Sequence, residues 1–562
     1  MFVKHKMCVL GSVLTMSLSL AAADVPAVPS KQAQPSTDAI SASIFDQETK
    51  LVESMRKYTP LIETYIQNTK QDRELGDVPF NDQYFLGRLA LDKEGFNDMP
   101  FEKKKIGRFS QVLNRLDMSS DVNYLPRSFM QLLFLGGGFD KNDCELRYRR
   151  QEFVGSVRTL VFDVAPTKKS RKVHFVGRIW VEDQGHNIVR FNGTYEPLGA
   201  ANLYFHFDSW RMNMQPGLWL PAFVYMEEGD MKSDFVRHVS MKGQMRLWGY
   251  TLAQAERPSD FTDVQVDSVD NVSDKSGDSA NEISPLESRH KWQREAEDNV
   301  LERMERAGLL APDGEVSKVL ETVANNIEAT NNVDIQPEVR CRVLLTTPLE
   351  SFTVGHTVVI SRGLLDVLPD EASLAMVISH ELAHIVLGHS VNTKYAFSDR
   401  MIFPDEQVLQ KIAMRRSDSD EDAANQKAVE LLKGSPYKDK LANAGLFLRA
   451  LQAHAPALPG LISANFGNRM MRGSKVLSMA SLIPGSPELK TADVRQIAAL
   501  PLGSRIKLDP WDDHVNLKKT KAEAILSADD KLPFAITPMI PNLARAQAAS
   551  EVAQTAAMGK TQ

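Results

Sequence analysis

Cysteine is almost missing from this chain of 562 residues, which has only Cys8, Cys144 and Cys341. Cys8 opens an apolar N-terminal run, so Cys144 and Cys341 are the only thiols in the body of the protein. Neither belongs to a Cys pair of the kind that builds a structural zinc site. Two isolated buried thiols is the preferred reading; pairing in an oxidising compartment is the alternative. An excess of one charge is missing too. The 66 Lys and Arg nearly balance 72 Asp and Glu for a net charge of -6, and no basic stripe carries interleaved aromatics. That balance argues against a nucleic-acid partner. Past Leu20 there is no apolar run of the ~18 residues that a spanning helix needs, so no transmembrane segment is expected in the mature chain. Gly136-Gly137-Gly138 lacks the Gly-Lys-Ser/Thr of a phosphate loop and reads as a turn. No internal repeat occurs.

What is present begins with an export signal over residues 1–23. Lys4 and Lys6 give a positive start, Met7 to Leu20 is largely apolar, and Ala21-Ala22-Ala23 offers small residues before Asp24. An uncleaved membrane anchor is the alternative, disfavoured by the short run broken by Ser and Thr. The expected location is therefore periplasmic or otherwise exported, and soluble after cleavage. Residues 24–45 are rich in Ala, Pro, Ser and Gln and suit a flexible leader. The length predicts two or three domains.

Residues 46–256 read as an α+β domain. Helical patterning is expected from Ile44 to Gln67. Strands are expected at Phe153–Val164, His174–Val181, Asn187–Tyr195, Asn202–Phe207, Leu218–Met226 and Gln244–Leu252, with turn signals between them. Short strands at this spacing predict a curved antiparallel sheet with helices on one face. Residues 257–288, loaded with Asp, Ser, Asn and Gly, read as a solvated linker. Residues 289–534 are mainly helical, with strands at Arg340–Thr346 and Thr353–Ile360, and residues 535–562 read as a flexible tail.

The chemistry is concentrated in Val377 to His389, an apolar stretch containing His380-Glu381-Leu382-Ala383-His384. On a helix, residues four apart share a face, so His380 and His384 can present imidazole nitrogens to one ion. Glu381 stands beside them as a general base for a metal-bound water. A third ligand is needed. His389 is near in sequence, but five residues after His384 it points away from the ligand face and reads as a helix-end residue or as one that supports a ligand from behind. Glu421 is preferred: it opens a second helix whose inward stripe is Glu421, Ala424, Ala428 and Leu431/Leu432. Asp418 and Asp420 read as a solvated acidic helix start.

Residues from about 290 to 530 resemble the M48 family of metallopeptidases, which pairs HExxH with a downstream ExxxD helix. The local match is "EDAANQKAVELL", in which Glu421 takes the place of the third zinc ligand and Asn425 stands where the family has Asp. Leu349 to Thr353 and Ile360 to Leu365 resemble the family's edge strand and Gly-Leu-Leu motif, with Glu350 replacing Asn. The resemblance implies one Zn²⁺ on His380, His384 and Glu421, a zincin-like fold, and an edge strand able to receive an extended substrate. The family's His before Pro is Leu500 here, leaving Arg505 and His514 as weak candidates for stabilising an oxyanion. Less specifically, Gly177 to Glu228 resembles the half-barrel of LolA/LolB-type lipoprotein carriers. Its aromatics Trp180, Phe191, Tyr204, Phe207 and Trp219 either make the sheet's own core, which is preferred, or line a lipid site.

Together these readings predict an α+β multidomain protein that hydrolyses peptide bonds of cell-envelope proteins in quality control. The rivals are a zinc-stabilised chaperone that does not cut, and a lipid or lipoprotein carrier.

Overall fold

The computed structural model describes residues 37–72, 76–92, 95–100, 130–135, 139–167, 174–196, 206–232, 238–250, 297–389, 414–490, 506–509, 514–517 and 543–545. The export signal, the linker at 257–288, Gly136–Gly138, Tyr204, Leu500 and Arg505 lie outside the described residues.

Helix α1 (Thr37–Met55) begins inside the stretch expected to be a flexible leader and stops well short of Gln67. Strand β1 (Leu61–Asp72) follows. Pro60 explains the change, because it has no N–H to donate and pushes the residue before it out of the helical region. Past it, both faces of β1 are buried: Leu61 and Tyr65 on one side, Ile62 and Ile66 on the other. A strand buried on both faces shows no alternation, which is why its apolar residues read as helix.

Strand β1 belongs to a 10-stranded antiparallel sheet in the order β3-β2-β1-β10-β9-β8-β7-β6-β5-β4. The other strands are β2 (Gly76–Asp92), β3 (Gly95–Pro100), β4 (Cys144–Val154), β5 (Val157–Pro166), β6 (His174–Glu182), β7 (Ile188–Glu196), β8 (His206–Gln215), β9 (Leu218–Lys232) and β10 (His238–Trp248). Successive hairpins run from β4 to β10, and β10 then pairs with β1. β3 and β4 remain as edges, so the sheet is not a closed barrel. The single strand expected from Phe153 to Val164 is the β4–β5 hairpin, turned at Gly155 with φ 62°.

On one face, Ile44, Leu51 and Met55 of α1 pack over Phe175, Phe191 and Phe207. Those rings meet edge-on or tilted at 5.7–6.0 Å between centroids. On the other face, Trp180, Trp210 and Trp219 join a core continuous with the C-terminal half. Of the aromatics expected either to make the sheet's own core or to line a lipid site, Trp180, Phe191, Phe207 and Trp219 are buried in the core.

The C-terminal half has a helical segment over 297–306 and α2 (Glu315–Asn331). Its 4-stranded sheet has the order β11-β13-β12-β14. These strands are β11 (Arg340–Leu344), β12 (Glu350–Val354), β13 (Thr357–Ser361) and β14 (Asn468–Arg469). The helices α3 (Arg362–Val367), α4 (Glu371–Val386), α5 (Asp418–Gly434) and α6 (Leu441–His454) complete it. The two halves touch: Trp248 Nε1 donates to Gly308 O at 2.7 Å and Arg88 to Ala307 O at 3.1 Å. Within the expected C-terminal tail, Leu543 O accepts from Ser156 N, and Arg545 pairs with Glu182 and Asp183 at 2.9 and 2.8 Å.

Cys144 and Cys341 are buried thiols not joined in a disulfide, and burial pushes them up to about 11 and about 12. Among the described residues no helix is long and apolar enough to cross a membrane.

Gly363 is held by a close approach: a Cβ there would lie 1.7 Å from Thr347 O. Gly363→Ala is expected to cost about 3 kcal/mol or more by forcing apart buried backbone. Urea unfolding of the two proteins checks this.

Candidate metal centre

Helix α4 is fixed at its start by Asp370, whose carboxylate accepts from Ser373 N at 2.8 Å. Its body is apolar and buried through Ala372, Ala375, Met376, Ile378 and Leu382, so its polar residues are held inside the fold. His380 and His384 lie one turn apart and are 3% and 0% exposed. Helix α5 starts at Ser417, which accepts from Asp420 N at 3.2 Å. Ala424 and Ala428 bring it close to α4 and set Glu421 opposite the two histidines. This is the arrangement expected from the Ala-lined stripe.

The three side chains offer one donor atom each, all within 4.8 Å of one another. His380 Nε2 lies 3.3 Å from His384 Nε2 and 3.2 Å from Glu421 Oε2, and His384 Nε2 lies 3.3 Å from Glu421 Oε1. A tetrahedral ion with ligand bonds of about 2.0–2.1 Å needs ligand–ligand edges of about 3.3 Å; the two Nε2 atoms, each with its nearer Glu421 oxygen, match that spacing, so the donor set fits zinc. They also leave the fourth vertex to a water. Burial raises the Glu421 carboxyl, but its bonds to His380 and His384 and their charge outweigh this and hold it at about 2. Burial lowers His380, and the bond to Glu421 with the charges of Glu381 and Glu421 overcomes this to raise it.

Glu381 is fully buried beside the cluster. Its Oε1 accepts from Ser351 Oγ at 2.7 Å, and its Oε2 has no hydrogen-bond partner among the described residues. One oxygen is fixed while the other remains a free buried acceptor.

His389 is not among the three grouped side chains but lies behind His384, the supporting place expected of it. The helix ends at Val386, and Gly388, at φ 69°, folds the chain back. His389 Nδ1 thereby comes to 3.0 Å from His384 Nδ1, with its Nε2 at 3.8 Å from Asp420. With Nε2 of His384 turned to the ligand cluster, its Nδ1–H donates to His389 and fixes the ring. Asn425 stays away from the histidines. Its amide donates to Leu477 O at 3.0 Å and its oxygen accepts from Met479 N at 2.7 Å. A carboxylate there would leave the Leu477 carbonyl unpaired, so the amide is matched to the loop it holds. The side chain of His514 lies outside the described ones.

The edge of β12 is not open along its length, as strand addition would require. β14 pairs with it, Asn468 against Ser351 and Arg469 against Glu350. Beyond that pair, Arg416 donates to Thr353 O at 3.4 Å and to His389 O. Ser351 and Arg416 are residues that sequence reasoning missed. Ser351 lay inside the quoted edge-strand motif, and only its long-range partner on α4 gives it meaning.

Glu350 is fully buried and accepts from Phe466 N at 2.9 Å and Gly467 N at 3.0 Å. Burial pushes its carboxyl from 4.5 up to about 7, the N–H bonds opposing. The folded state therefore favours the protonated acid. Its stabilisation is complete below the unfolded value and is lost as pH rises through about 7. Glu350→Gln, which keeps the acceptor, is expected to flatten this fall by up to about 3 kcal/mol. Urea titrations at pH values on either side of that window check it.

A buried cluster of two histidines and a carboxylate, with a free carboxylate oxygen beside it, has the donor types and the base that a hydrolytic metal centre uses. Residues 311–443 match the family model of Peptidase family M48, which supports a metallopeptidase domain in this half. No curated protein matches the chain. Among solved structures, one titled "Lipid-protein interactions in lipovitellin" is similar at 10% identity, over 73% of this chain and 45% of that one. The chain thus spans less than half of its length, and a TM-score of 0.14 is too low to bear on the fold.

Proposed function

We propose that the chain is an exported zinc-dependent endopeptidase acting on unfolded proteins of the cell envelope, in quality control. The observation that carries this reading is the set of donor edges near 3.3 Å among His380, His384 and Glu421 beside the free Oε2 of Glu381. Zinc, when bound, supplies a water acidified to roughly pKa 7 and polarises the scissile carbonyl. Oε2 of Glu381 takes the water's proton and returns it to the leaving amine. Ser351 holds Oε1 so that the free oxygen faces the reacting atoms, and His389 orients His384. An extended substrate pairs with β12, which requires the β14 pair to part. Export rests on Lys4, Lys6 and the apolar run to Ala23.

A second reading, a zinc-stabilised module that binds unfolded proteins without cutting them, is favoured by the β14 pair on the substrate edge. Casein cleavage by the mature protein separates the two. Stripping the metal with a chelator is expected to abolish cleavage and added zinc to restore it; a protein that never cuts supports the binding module.

A further inference from the structure

Two buried carboxylates of the ten-stranded sheet reach out of it to hold the loops beside the metal centre. Glu63 on β1 is 1% exposed. Its Oε1 accepts from Thr347 N at 2.6 Å and from Tyr84 OH at 2.9 Å. Its Oε2 accepts from Thr347 Oγ1 at 2.9 Å and from Arg246 at 3.1 Å. Asp82 on β2 is 5% exposed. It accepts from Gly460 N at 2.6 Å, from Leu461 N at 2.7 Å and from Tyr65 OH at 3.0 Å.

The loops held this way lead directly to the centre. Thr347 precedes β12, whose Ser351 binds Glu381. Gly460 and Leu461 precede the stretch that ends in β14, the partner of β12. Leu349 N donates to Leu461 O at 2.8 Å, which ties the two loops together. On its other side the Thr347 loop rests on Gly363, where there is no room for a Cβ. Buried backbone N–H groups need acceptors, and a carboxylate is the strongest available; here both come from the sheet rather than from the peptidase half.

We infer that Glu63 and Asp82 are positioning residues of the metal centre, so that the N-terminal sheet sets where β12 and Ser351 stand against Glu381. The sheet is then a built-in wall of the active site and not an independent carrier. The activity arm of this inference rests on the peptidase reading, whereas its structural arm does not. A displacement of about 1 Å far from the reacting atoms can cost about 10²-fold in rate.

The test uses the full zinc-loaded chain as wild type, Glu63→Gln, Asp82→Asn and Thr347→Val. Thr347→Val removes only the hydroxyl bond and leaves the Glu63–Arg246 pair in place, so it decides the matter if Glu63→Gln fails to fold. The expected result is backbone hydrogen exchange at 349–354 faster by about tenfold or more in Glu63→Gln and by less in Thr347→Val. Exchange in α5 and zinc content should match the wild type. Asp82→Asn should speed exchange at 460–469 in the same way. On casein, kcat should fall about 10- to 100-fold with KM within about threefold. Unchanged exchange at 349–354, or an equal rise throughout the chain, overturns the inference. If the wild type itself does not cut casein, the peptidase reading fails, and the exchange result still decides the positioning role.

Discussion

Glu421→Ala is expected to bind zinc more than about 100-fold more weakly than the wild type, a larger loss than that of a supporting residue. Glu421 is the only anionic member of the cluster, and it bridges both histidines at 3.2 and 3.3 Å. Removing it leaves two buried imidazoles with a weaker claim on a divalent cation and no charge to offset it. Asp420→Ala, one residue earlier, serves as the control. Asp420 is a half-buried member of the first turn whose side chain comes no nearer to the cluster than His389, at 3.8 Å, so its effect should be small. Competition against a chromophoric chelator at neutral pH reads both affinities. Equal affinities for Glu421→Ala and wild type would mean that the ion is held elsewhere.

The helix that carries His380 and His384 was legible because its evidence is local. Two histidines four residues apart inside an uninterrupted apolar run can only share a buried face, and the structure buries both. Glu421 was legible for a similar reason, since Ala424 and Ala428 mark the side on which α5 can approach another helix. What was not legible depends on contacts between distant parts of the chain. The segment from Leu61 to Gln67 reads as helix because both of its faces are buried, and only pairing with β2 and β10 makes it a strand. The bond from His389 to His384 was not legible in detail, because the left-handed Gly388 past the helix end sets where His389 stands. The cover that β14 lays over β12 joins Ser351 to Asn468, and the Glu63–Thr347 anchor spans 284 residues. No periodicity in the sequence announces pairs so far apart.

Asn425 shows the same limit from the other side. Compared with a family pattern, it looked like a weakened catalytic support. In the fold it clamps Leu477 and Met479 by their backbone. The departure is explained by a loop of this chain rather than by its chemistry.

Glu381 is proposed to remove a proton from water at a zinc held by His380, His384 and Glu421. Glu381→Gln keeps the size of the side chain and an oxygen for Ser351 to donate to, while removing the basic oxygen. The measurement is cleavage of unfolded casein by wild type and Glu381→Gln, each loaded with zinc and assayed for metal content. The predicted result is equal zinc and a rate lowered by about 10³-fold or more in the variant. Equal rates in the two proteins, at equal zinc, would contradict the claim.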